Sequence, residues 1–157
     1  MHKNFYLCNV KKTVFFNDIP NLNLKEADLS DWIYEQVSEK GAKIKRLDIN
    51  FISEDKMLNL NREHLKHDNH TDILTFSYND HLTIESEIFI CFERACENAQ
   101  KHSQTPDNEV LRLISHGLLH IFGMKDNTRR LRNAMANEED KIIAKFHVKH
   151  TTSEKTL

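Results

Sequence analysis

A chain of 157 residues, 39% hydrophobic and 29% charged, is sized for one domain with a real core, and its 3 glycines and 2 prolines leave little for long linkers. A formal net charge of −2 excludes a surface coated in phosphate-binding cations, so any handling of nucleic acid must pass through a local basic cleft. Cys8, Cys91 and Cys96 form no C-x-x-C pair and read as reduced thiols of a cytoplasmic protein. No run of about 18 apolar residues exists to span a membrane, and the first residues lack the pattern of a cleaved signal.

Phe5–Cys8 and Thr13–Phe16 are β-type runs, one or two edge strands. Asn23 or Asp28 opens a helix to about Lys40, with Ala27, Trp32, Ile33 and Val37 on its apolar face and Gly41 as its stop. Ile44–Ile52 alternates apolar and polar residues and predicts a strand. Ser53 caps a short helix whose buried side carries Met57, Leu58, Leu60 and Leu65. The polar stretch from His64 to Thr71 leads into a strand over Ile73–Tyr78 and a turn at Asn79 and Asp80. Two short strands follow, Leu82–Ile84 and Ile88–Phe92, then a helix from Phe92 to His102 packed through Ala95, Cys96 and Ala99. Thr105 caps and Pro106 opens a helix that runs to Phe122 and stops at Gly123. A last amphipathic helix covers about Thr128 to Phe146, and residues 147–157 read as a polar, fraying tail. The expected architecture is α+β: a small mixed sheet of about four strands with about five α-helices, forming one domain over residues 1–146.

The segment from His116 to Asp126 carries the chemistry. His116 and His120 stand four residues apart on the predicted helix, so their rings lie one turn apart on one face and can reach one ion. Gly123, three residues on, can take a left-handed backbone, end the helix and turn the chain so that Asp126 supplies a third ligand. Two imidazoles and a carboxylate suit zinc, and three protein ligands with a free fourth position describe a catalytic site. On a helical wheel, Val110, Leu111, Ile114, Leu118, Ile121 and Phe122 form the core stripe, and the two histidines fall nearly opposite, beside Glu109. Leu113 and Leu119 flank the histidines and imply that this face too is covered. A zinc peptidase with this spacing carries a glutamate base directly after the first histidine; here that position is Gly117, which moves no proton.

Other candidates surround this motif. Arg62, His64 and Lys66 crowd into a polar segment that reads either as a phosphate-facing lip or as an ordinary solvated loop. Glu87, before the apolar run Ile88–Phe92, reads either as a proton-handling or supporting carboxylate or as a strand-end charge. Arg129, Arg130 and Arg132 open the last helix, as phosphate contacts or as a solvated face.

Together these segments resemble the YbeY family of rRNA maturation endoribonucleases. His116, Gly117, Leu119, His120 and Gly123 match its histidine motif, H-G-x-L-H-x-x-G-x-x-H. Leu60, Asn61, Asp68 and the run from Thr71 to Phe76 resemble its signature L-N-x-x-x-R-x-x-D-x-x-T-D-V-L-S-F, and the run from Ser86 to Ile90 resembles G-D-I-x-I. The likeness spans roughly residues 44 to 145; among its departures, Asp126 stands for the third histidine, Leu65 for an arginine, and Glu87 for an aspartate. The resemblance implies a cytoplasmic, zinc-dependent endoribonuclease of single-stranded RNA that matures the 3′ end of small-subunit (16S) rRNA and serves ribosome quality control. Its partners would be rRNA and the small ribosomal subunit, with no DNA and no membrane. It would carry one zinc on His116, His120 and Asp126, with Arg62, His64 and Lys66 on the substrate and Arg62 and Glu87 assisting catalysis. The alternatives are a non-catalytic ribosome-assembly factor with a structural zinc and, further off, a zinc peptidase.

Overall fold

Residues 11–66 and 70–154 are described by the structure, a computed structural model; the expected strand at Phe5–Cys8 and the loop residues His67, Asp68 and Asn69 lie outside them. The elements run β1 (Val14–Asn17), α1 (Glu26–Glu39), β2 (Lys43–Ile52), α2 (Glu54–Leu65), β3 (Ile73–Ser77), β4 (Thr83–Cys91), α3 (Phe92–Lys101), α4 (Pro106–Ile121) and α5 (Arg129–Glu154). The strands form one sheet in the order β1-β2-β4-β3. β1 and β4 flank β2 in parallel, and β3 pairs with β4 antiparallel, so the sheet is mixed, as the sequence predicts.

Alternation along the strands sends side chains to two different cores. Leu47, Ile49 and Phe51 of β2 and Ile84, Ile88 and Ile90 of β4 join the main core with Leu29, Trp32 and Ile33 of α1, Val110, Leu111, Ile114 and Leu118 of α4, and Met135, Ile142 and Phe146 of α5. On the other face, Leu74, Phe76, Phe89 and Cys91 meet Ile52, Met57 and Leu60 in a smaller core under α2. Cys91 and Cys96 are free thiols.

Three local expectations for the sheet and the first two helices change. The two short strands expected over Leu82–Ile84 and Ile88–Phe92 are one strand, β4. Its inward positions are Ile84, Ser86, Ile88 and Ile90, all buried; the buried serine, with its hydroxyl 3.3 Å from that of Ser77, breaks the apolar pattern without breaking the strand. In α1 the buried face uses Leu29 rather than Ala27, which is exposed. Leu65, expected on the buried side of α2, is 48% exposed, because the helix ends there as Lys66 turns left-handed at φ 53°.

α4 is the central helix. Leu113, Ser115, Gly117 and Leu119 are buried along with its apolar stripe, since the sheet, α3 and α5 cover it on several sides. Thr128 opens α5 by accepting the Leu131 amide at 3.2 Å. Past Phe146, where the apolar pattern fades, α5 continues to Glu154. Ion pairs of Lys145 with Glu39 (2.5 Å), just before Phe146, and of Lys149 with Glu35, just after it, line this end of the helix up along α1. Deeper down, the Trp32 indole N–H donates to the Ile142 carbonyl at 2.9 Å, tying α1 to α5. No helix among the described residues is long and apolar enough to cross a membrane.

Candidate metal centre

The centre is built where α4 stops. Thr105 accepts the Asn108 amide at 3.1 Å and Pro106 starts the helix, setting its register. At the far end Gly123 sits at φ 93°, a backbone that side-chain-bearing residues rarely adopt. The turn is closed by the Gly123 amide on the His120 carbonyl (2.9 Å) and the Met124 amide on the Leu119 carbonyl (3.0 Å). It returns the chain toward the helix and delivers Asp126.

The result is a compact set of three donors. The Nε2 atoms of His116 and His120 are 3.0 Å apart, and Asp126 Oδ2 lies 3.5 Å from the first and 3.4 Å from the second. Donors at zinc bond lengths in a tetrahedral site stand about 3.3 Å from one another. The outer nitrogens settle which atoms face the centre. His116 Nδ1 lies 2.7 Å from Glu139 Oε1, and His120 Nδ1 lies 3.0 Å from the Met124 carbonyl oxygen. Both partners accept, so each Nδ1 carries the hydrogen, and in the neutral rings both Nε2 lone pairs point at one spot. Two lone pairs and a carboxylate oxygen at that spacing suit a cation, and the residues present fit a zinc ion. The same arrangement can hold a proton instead. Burial alone would lower the His116 pKa; the hydrogen bond to Glu139, then the charges of Glu139, Asp126 and Asp72, outweigh it and hold the ring above its ordinary value.

The three donors keep 24%, 32% and 37% of their side-chain surface open, so the point on which they converge is reachable from solvent. The opening is a groove of about 280 Å³ lined by Leu65, Ile73, Leu74, Thr75, His116 and His120. A second depression of about 200 Å³ shares Ile73 and His116 with the groove and is bordered by Asp72, Glu109, Arg112 and Glu139. Glu109 is buried there, and burial, then the charge of Asp72, pushes its carboxyl up.

The remaining predicted residues divide. His64, Leu65 and Lys66 are exposed at the end of α2 that reaches the groove, and Leu65 is in its wall; the His64 ring stands edge-on to Phe76 with centroids 5.1 Å apart. Arg62 is exposed on the last turn of the same helix. Glu87 is not brought to the three donors. Ser86 and Ile88 point into the core that α4 shares, so Glu87 projects from the opposite face of the sheet, where it accepts the Tyr78 hydroxyl at 2.5 Å beside Arg46 and Asp48. That bond, with burial second, pushes the Tyr78 phenol up to about 12. Arg129 and Arg130 are exposed on the first turn of α5, and Arg132 donates to the Asp126 carbonyl at 3.4 Å. Gly117 has a further reason to be glycine: a Cβ there would lie 2.8 Å from Ile88 Cδ1 and 3.2 Å from Thr75 Oγ1. The position that carries a peptidase's base is pressed against the sheet.

Sequence reasoning missed Glu139, Arg112 and His81. Glu139 lies within Glu138-Glu139-Asp140, a run that reads as a solvated helix face. Its burial at 6% exposure comes from docking of α5 on α4. His81 places Nδ1 2.8 Å from the Ile121 carbonyl and lays its ring over Gly123, a contact between distant loops without a spacing signature.

Comparison with known proteins agrees with this geometry. The family model described as Endoribonuclease YbeY matches residues 16–147. A protein named Endoribonuclease YbeY from Christiangramia forsetii is 33% identical over 134 residues, 85% of this chain and 94% of that protein. One of the same name from Phocaeicola vulgatus is 34% identical over 122 residues, 78% of this chain and 88% of its own. The solution structure of TM1509 from Thermotoga maritima shares the fold with a TM-score of 0.66 at 21% identity, covering 90% of this chain and 93% of its own. With the family matched over most of its length and the histidine motif folded into one cluster of donors, the chain belongs to the YbeY endoribonuclease family.

Proposed function

We propose that this protein is a zinc-dependent endoribonuclease that hydrolyses phosphodiester bonds of single-stranded RNA, acting in the cytoplasm on rRNA of the small ribosomal subunit, in maturation of the 16S 3′ end and in ribosome quality control. The observation that carries the reading is the convergence of His116 Nε2, His120 Nε2 and Asp126 Oδ2 beside an open groove. The family match over residues 16–147 supports reading residues 1–146 as one hydrolase domain.

Lewis acidity toward a phosphoryl oxygen and toward water is what a zinc ion supplies when bound there. His116 and His120 would hold it through Nε2, since their Nδ1 atoms are committed to Glu139 and to the Met124 carbonyl. Asp126 adds the one negative charge among the three donors. The α2 end offers Arg62, His64 and Lys66 to phosphates, and Leu65, Ile73 and Leu74 give a base an apolar wall. Glu87, on the far face of the sheet, takes no part in this chemistry. Gly117 supplies no proton acceptor, so the reading favours phosphodiester over peptide hydrolysis.

His116→Ala and His120→Ala should each lose zinc by elemental analysis and lose cleavage of single-stranded RNA. Unchanged cleavage in both variants would refute metal catalysis here. One observation favours a second reading, a non-catalytic assembly factor with a structural ion: Leu65, in the groove wall, puts no cation where the resemblance expects an arginine. Under it the purified protein keeps its zinc and binds ribosomal subunits while leaving single-stranded RNA intact.

A further inference from the structure

We propose that Glu139, presented by α5 and fixed by Arg112, is the positioning residue that sets His116 for the metal ion. The inference rests on the metal-centre reading above and adds a fourth side chain to it. Glu139 is a carboxylate at 6% exposure, a placement that is unfavourable unless both oxygens are engaged. They are engaged by different groups. Oε1 receives the His116 Nδ1–H at 2.7 Å, and Oε2 receives Arg112 Nη1 at 3.0 Å. Arg112 turns its other nitrogen, Nη2, to Asp140 at 3.0 Å. The order is thus Asp140, Arg112, Glu139, His116, and then the centre, drawn alternately from α5 and α4.

This order separates a positioning role from a merely structural bridge. Joining α4 to α5 needs only one ion pair, and the Arg112–Asp140 pair already makes one. Glu139 does something Asp140 does not: it fixes the hydrogen on Nδ1 of a ligand and so leaves Nε2 free to donate. The two imidazoles are held by different means. His120 leans on the Met124 carbonyl, part of the loop that also delivers Asp126, so two of the three donors depend on that loop. His116 depends on a separate helix through Glu139. Loading of the ion and docking of α5 are therefore coupled at His116 through one hydrogen bond, beside the contact of Arg132 with the Asp126 carbonyl.

The test is competition for zinc against a chromophoric chelator, with cobalt(II) spectra reporting donor geometry and a melt of the metal-free protein reporting the fold. Glu139→Gln should weaken zinc binding about 10- to 100-fold. Asp140→Ala, which breaks only the outer pair, should leave affinity within about twofold. A double-mutant cycle assigns the route: in the His116→Ala background, whose weak residual affinity is read at zinc concentrations far above those that load the parent, Glu139→Gln should bring no further loss. Equal losses with and without His116, or unchanged affinity and cobalt spectrum in Glu139→Gln, overturn the proposal. If Glu139→Gln will not fold, Arg112→Lys reads the same path with Glu139 in place, and an affinity equal to the parent's overturns it. A parent protein that binds no zinc refutes the metal centre and this proposal together. One that binds zinc but leaves RNA uncut refutes only the nuclease reading.

Discussion

Gly117→Ala puts two opposing effects at one position. Alanine is favoured over glycine in a helix interior by about 1 kcal/mol, so the backbone gains. The added methyl, however, would meet Ile88 Cδ1 at 2.8 Å, Thr75 Oγ1 at 3.2 Å and Ile88 Cγ1 at 3.3 Å. Ile88 is fully buried in the middle of the sheet and cannot swing to solvent. Overpacking of this kind costs about 1–3 kcal/mol, so the clash should win by roughly 1 kcal/mol and lower the melting temperature by about 2–4 °C. Ile88→Val removes the nearest atom and costs about 0.5–1.5 kcal/mol by itself. In that background, Gly117→Ala should turn neutral or stabilising, a coupling of about 1–2 kcal/mol. Urea unfolding of the four proteins at unchanged slope measures it. A full helix-propensity gain in the parent, or one identical cost in both backgrounds, would show that contact with Ile88 does not set the identity of residue 117.

Gly123→Ala meets both a φ of 93° and the His81 ring 3.0 Å away, so it should cost about 1–2 kcal/mol in a melt and also weaken zinc binding, because Asp126 follows that turn. Glu109 has its folded pKa raised above the ordinary 4.5 by burial, then by Asp72. Its contribution to stability is therefore complete below that value and is lost as pH rises through the folded pKa. Glu109→Gln should accordingly raise the urea midpoint at pH 7 relative to the parent, with the gain vanishing below pH 4.5; a gain that is the same at both would contradict this. Leu65→Arg, at a position 48% exposed, should change stability by less than about 0.5 kcal/mol. It should also steepen the salt dependence of single-stranded RNA binding by about 0.7 in log–log slope, one added phosphate contact, as read by fluorescence anisotropy.

The parts of the fold that were legible in the sequence are those fixed by local chemistry. Thr105 and Pro106 mark the start of α4, Gly123 marks its end, and the four-residue spacing of the histidines places both rings on one face; each signal lies within a few residues of what it specifies. The three donors were readable for the same reason, since Asp126 needs only the glycine turn to return. What escaped depends on packing between distant segments. Glu139 comes 23 residues after His116 and reaches it only because α5 lies against α4. Leu65 has the periodicity of a core residue, yet the helix ends beneath it and leaves it in the groove wall. Ser86 hid the continuity of β4 because a serine in the core looks like a turn. Glu87 shows the reverse failure: its neighbours resemble a signature, while strand alternation sends its carboxylate to the face away from the histidines.

The clasp of α5 on His116 also bears on what a shortened chain would keep. Both imidazoles and Asp126 precede Arg129, where α5 begins, whereas Glu139 and the Ile142 carbonyl that receives Trp32 come after it. A chain truncated before α5 would thus retain every donor and lose both the carboxylate that orients His116 and the acceptor that anchors Trp32.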